Sequence, residues 1–112
     1  MSMTVDLVKI TTGLTIYFSI EKVVDGLYWD TSNSTFKAKG SISGTNDHIS
    51  LTEDSDEPGR YIVTIATTSA VQWTNGNYKC IIRNSAGDTL IDIHPKYLKD
   101  QNEVQFRLNQ IV

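Results

Sequence analysis

LTIYFSIE, residues 14–21, alternates apolar and polar side chains without a break. Successive side chains of an extended chain point to opposite faces. Leu14, Ile16, Phe18 and Ile20 therefore share one side, and Thr15, Tyr17, Ser19 and Glu21 share the other. The stretch is a half-buried strand with a continuous apolar face.

The same device recurs outward from it. RYIVTIAT places Tyr61, Val63 and Ile65 in phase, NYKCIIRN places Tyr78, Cys80 and Ile82 in phase, and HISLT does so with Ile49 and Leu51. TLIDI sets Leu90 and Asp92 against Ile91 and Ile93, and the tail NEVQFRLNQIV alternates Val104, Phe106 and Leu108. Turn residues separate the runs: Asp25-Gly26, Pro58-Gly59, Asn75-Gly76 and Ala86-Gly87-Asp88. The spacing predicts an all-β sandwich of about seven to nine short antiparallel strands. The best helical alternative is residues 96–111, where the alternation fits a strand as well. GLYWDTSNSTFKA, residues 26–38, reads as strand, polar turn, strand, with Trp29 and Phe36 capping the core.

The chain has 112 residues, 39% of them hydrophobic and 21% charged, with a net charge of −3. That is one domain, 1–112, with a core over about 5–93 and a terminal extension, 94–112. The scattered basic residues argue against nucleic acid as a partner. No stretch reaches the roughly 20 apolar residues of a membrane span, and no signal peptide is visible. The expected setting is synthesis and folding in a cytoplasm. The one cysteine, Cys80, lies in an apolar run and reads as a core residue.

Gly13-Leu14-Thr15, Tyr28-Trp29, Phe36, Leu51-Thr52-Glu53, Gly59-Arg60-Tyr61 and Gly76-Asn77-Tyr78 stand in this order over residues 13–93. The set resembles an immunoglobulin-like β-sandwich module of tailed-bacteriophage virion proteins. The resemblance implies an immunoglobulin-like sandwich and a place in a virion among capsid or tail subunits. The ending, HPKYLKDQNEVQFRLNQIV, departs from the module's usual closing strand.

Residues with chemical potential are few. His48 and His94 lack metal-ligand spacing, and no nucleophile elbow or phosphate-cradling loop appears. Glu53, Asp54, Asp56 and Glu57 form an acidic stretch without the twelve-residue calcium-loop pattern, so it reads as solvated charge. No metal or cofactor is expected.

The expectation is therefore a non-enzymatic structural or accessory virion protein, such as a capsid decoration, head-fibre or tail component. It acts by protein–protein contacts and is open to self-association, with strand edges available for strand addition. The contact candidates are Trp73, Val104, Phe106, Leu108 and Ile111, together with the N-terminal MTVDLVKI. The rival expectation is a carbohydrate-binding adhesion module using Trp73, Tyr28 or Trp29 as a stacking surface.

Overall fold

The computed structural model describes residues 1–9, 11–84 and 89–104. Its strands are β1 (Ser2–Val8), β2 (Ile16–Lys22), β3 (Leu27–Asp30), β4 (Thr35–Lys37), β5 (Ile49–Glu53), β6 (Arg60–Ala66), β7 (Gly76–Asn84), β8 (Leu90–Lys99) and β9 (Asn102–Glu103). The helical content of the described residues is one 3-10 turn, Lys39–Ser41. The pairings among these described strands are all antiparallel.

One layer is β1-β6-β5, and the other is β4-β3-β2-β7-β8-β9. This is the pairing pattern of an immunoglobulin sandwich without its first strand: a three-stranded layer faces a hairpin pair built on a long central strand. Strand β5 belongs to both layers. Ile49–Leu51 pair with β2, and Thr52–Glu53 pair with β6. The strand path β1-β6-β5-β2-β7-β8-β9 therefore nearly closes on itself. Its two ends meet where the Thr4 N–H donates to Glu103 Oε1 at 2.9 Å.

The alternation places the core. Ile16, Phe18, Ile20, Tyr78, Cys80 and Ile82 from one layer meet Met3, Val5, Leu7 and Tyr61 from the other. Tyr78 stands two residues before Cys80, and its hydroxyl donates to Thr74 O at 2.7 Å, as in the tyrosine corner of immunoglobulin-like domains. Antibody domains carry an inter-sheet disulfide at this strand pair. Here Cys80 Sγ instead lies 3.6 Å from Met3 Sδ of β1. Burial pushes the Cys80 thiol up to about 12, which leaves it protonated and unreactive at neutral pH.

Turn chemistry matches the sequence at Asp25-Gly26. Gly26 takes φ +72°, a region that disfavours residues with a Cβ. Its N–H donates to Lys22 O at 2.8 Å, and Asp25 Oδ1 receives the Leu27 N–H at 3.1 Å. Residues 85–88, with the Ala-Gly-Asp turn, lie outside the described residues.

Two expectations change. Leu14 is 39% exposed rather than core, because the strand ladder begins at Ile16. The chain before it is pinned from outside: the Tyr61 hydroxyl accepts the Leu14 N–H and donates to Thr11 O. The core also reaches beyond 5–93, since Met3 and Leu98 are buried in it. β8 continues unbroken to Lys99, and the Gly76↔Leu98 register carries Leu98 inward. Residues 96–99 are thus strand, not helix.

Candidate interaction surface

The aromatic residues weighed as stacking surfaces belong mostly to the core. Trp73 is only 2% exposed. The 67–75 loop folds beneath the β3–β4 hairpin, and Trp73 packs 4.6 Å from Trp29, 4.9 Å from Phe36 and 5.6 Å from Tyr78, centroid to centroid. Gln72 holds the loop there, its Oε1 accepting the Phe36 N–H at 2.9 Å and the Thr35 hydroxyl at 3.1 Å. Trp73 is accordingly a packing residue and offers no face to a sugar ring or partner. Trp29 packs against both Phe36 and Trp73, as the capping role of the 26–38 stretch requires. Tyr28 is half-buried, with Lys39 Nζ 5.0 Å above its ring.

The outer side of β2 is covered by the segment between β4 and β5. Asp47, almost fully buried, accepts hydrogen bonds from Lys39 Nζ at 2.8 Å and Ser19 Oγ at 2.9 Å. Burial alone would raise its carboxyl, but the bonds from Lys39 and Ser19 outweigh it and hold the group below the ordinary carboxylate value. His48 stacks on Tyr17 at 4.1 Å beside this cluster. Asp30 closes the β3–β4 turn by accepting from Asn33 Nδ2 and from the Ser32 and Asn33 N–H groups. The Asn33 side-chain bond is the largest cause of its lowered carboxyl. These polar groups fasten loops to the body.

Farther along the same outer side, no described segment covers β8 and β9 as 38–48 covers β2. The Ile81↔Ile93 and Lys79↔Pro95 pairs place Ile93 and Pro95 on the outer face with Ile81, because side chains directly across a ladder share a face. Leu98 pairs with Glu103, so Glu103 is in the core phase and Val104 is in the outer phase, opposite Tyr97. Ile93 is 42% exposed and Val104 is 38% exposed. Ile93, Pro95, Tyr97 and Val104 thus share one outer face, with Lys79 beside Pro95. Of the terminal contact candidates, Val104 is on this surface; Phe106, Leu108 and Ile111 lie outside the described residues. The N-terminal segment MTVDLVKI is β1 over most of its length, with Met3, Val5 and Leu7 turned into the core.

The acidic stretch is engaged locally. Glu53 receives the Gly13 and Gly59 N–H groups, one on each oxygen, at 2.9 Å. Asp54 Oδ1 receives the Asp56 N–H, and Arg60 pairs with Glu57 at 3.1 Å and Asp6 at 2.7 Å. Among the described residues, no group of three or more His, Cys, Asp or Glu side chains is placed to hold a metal ion.

Sequence reasoning missed the Ser19–Asp47 pair, whose members stand 28 positions apart, and the outward phase of Val104. One available signal was passed over: Tyr78 two residues before Cys80 marks the tyrosine corner. Comparison with models of protein families, with characterised proteins and with solved structures finds no match to this chain.

Proposed function

We propose that the chain is a non-enzymatic structural or accessory component of a tailed-phage virion, docking to other virion proteins through the outer face of β8 and β9. The observation that carries the docking surface is the register at the chain's end. Leu98↔Glu103 turns Val104 outward, onto the same side as Ile93, Pro95 and Tyr97. Apolar side chains gathered on one face gain by being covered by another protein. The virion setting is supported by the ordered motifs from Gly13-Leu14-Thr15 to Gly76-Asn77-Tyr78 and by the immunoglobulin-like strand arrangement. The body suits such a role, because Asp30, Asp47, Glu53 and Tyr61 tie turns and linkers to the sheets and present a preformed surface.

The test is quantification of the chain in purified particles, using wild type and the Ile93→Asp and Val104→Asp variants. Both variants are expected to fold with near-normal melting and to be depleted from particles by at least about tenfold, which corresponds to roughly 1.4 kcal/mol of lost contact. A wild-type chain missing from particles would remove the virion reading. Wild-type incorporation with undiminished variants would move the contact to another surface.

A further inference from the structure

Among the described residues, three strand edges of this molecule carry side-chain bonds to their main chain. β4 pairs only with β3 among the described residues, and its Phe36 N–H is taken by Gln72 Oε1 at 2.9 Å. On β8, the Tyr97 carbonyl faces β9, since it accepts the Val104 N–H. By the two-residue alternation, Pro95 and Ile93 direct their main chain to the same edge. Pro95 has no N–H to offer, and the Ile93 N–H is held by Asp92 Oδ1 at 2.8 Å.

The third edge is β1. Its odd-numbered residues face β6, as the bonds from Thr67 N to Met1 O and from Lys9 N to Gly59 O show. Ser2, Thr4, Asp6 and Val8 therefore direct their main chain away from the sheet. At the middle of that edge the Thr4 N–H is taken by Glu103 Oε1, reached across 99 positions of sequence. Glu103 is itself steadied by Lys96 Nζ, 3.5 Å from its other oxygen. Nearby Asp6 is bound by Arg60 through Nε and Nη2, which sets a charged pair beside the same edge.

We propose that Glu103 is a clasp that keeps β1 from adding a strand, and that the occupant it excludes is β1 of a second copy. Among the described residues β9 lies beside β1 without pairing to it, and an edge of this kind is self-complementary across a two-fold axis, where each copy's outward N–H groups meet the other's carbonyls. A carboxylate on the central N–H removes the donor around which such a ladder would form. The inference goes beyond the docking reading: it concerns the β1 edge rather than the outer face and rests on the bond from Thr4 N–H to Glu103.

The experiment is sedimentation velocity across a concentration series, with amide hydrogen exchange at Thr4. The variants are Glu103→Gln, Glu103→Asp, Glu103→Ala and the double variant Thr4→Pro/Glu103→Ala. Glu103→Gln keeps an oxygen at the same reach and is expected to stay monomeric with a protected Thr4 amide. Glu103→Asp keeps the charge but is one methylene shorter. It and Glu103→Ala are expected to lose Thr4 protection at low concentration and to shift toward dimers as concentration rises. Proline at position 4 deletes the outward donor and leaves the main-chain bonds to β6 in place, losing only the Thr4–Thr64 hydroxyl contact, so the double variant is expected to return to monomer. A folded Glu103→Asp or Glu103→Ala chain that stays monomeric throughout overturns the proposal, and Glu103→Asp serves alone if the alanine variant fails to fold. Persistent association of the double variant overturns it as well, as does a wild type already dimeric and unchanged by these substitutions.

Discussion

β2 and β7 send alternate side chains to two faces that are buried in different ways. Inward, Phe18, Ile20, Cys80 and Ile82 are covered by apolar side chains of the opposite layer. Outward, Ser19 is just as fully buried, yet it is covered by Asp47 and the segment that carries it. The first kind of burial depends on area and shape and is indifferent to protonation. The second holds only while donors and acceptors match, because a buried polar group without a partner is costly. The inner face therefore fixes the body, and the outer face fixes a loop.

The largest effect should come from the inner face. Phe18→Ala is expected to cost about 3–5 kcal/mol in urea unfolding through lost burial and a cavity. Tyr17→Ala, its neighbour on the outer face, gives up the stack on His48, a contact of about 1 kcal/mol. Equal costs would break the distinction between the faces.

Asp47→Ala comes next, at about 1–3 kcal/mol, since it leaves the buried Ser19 hydroxyl without its acceptor. Acid should expose the same dependence. Asp47 and Asp30 are held below the ordinary carboxyl value of 3.8 in the folded chain. The unfolded chain binds their protons first as pH falls, so their stabilisation is complete above the ordinary value and is lost as pH drops through the lower folded values. An Asp47→Asn variant is expected to be less stable at neutral pH and to have a flatter stability profile below about pH 4. A parallel profile would show that Asp47 is not a source of the acid sensitivity.

Tyr78→Phe removes one hydroxyl from the corner and leaves the ring packed, a loss of about 1 kcal/mol by thermal or urea unfolding. Ile93→Ser and Val104→Ser, on the uncovered end of the outer face, should change stability by no more than about 0.5 kcal/mol. A larger loss would mean that this surface is already packed within the domain.

Much of the inner face is legible from spacing alone. Tyr61, Val63 and Ile65, and Tyr78, Cys80 and Ile82, share faces because a strand has a period of two, and burial of the apolar phase follows. The Asp25-Gly26 turn and the 26–38 hairpin are legible for the same local reason, since their geometry depends on adjacent residues. Trp73 is different. It stands in a loop, and its burial depends on the β3–β4 hairpin folding over it, held by Gln72 some 36 positions from Phe36. No local pattern carries that information.

The tail shows the boundary most sharply. Alternation along a strand assigns Val104, Phe106 and Leu108 to one phase, but a strand has two phases and the alternation does not say which one meets the core. That choice belongs to the register across the Asp100–Gln101 turn, where both residues take positive φ and Leu98 is set opposite Glu103. The sequence by itself determined most of the strands, most of their shared faces and turns such as Asp25-Gly26, because these follow from neighbours one to four positions apart. Tertiary structure alone decided that Val104 points outward, that Asp47 lies over Ser19 and that Glu103 reaches Thr4. Each of these depends on chain segments meeting across many intervening residues, and ladder register, not local preference, sets which atoms come within reach.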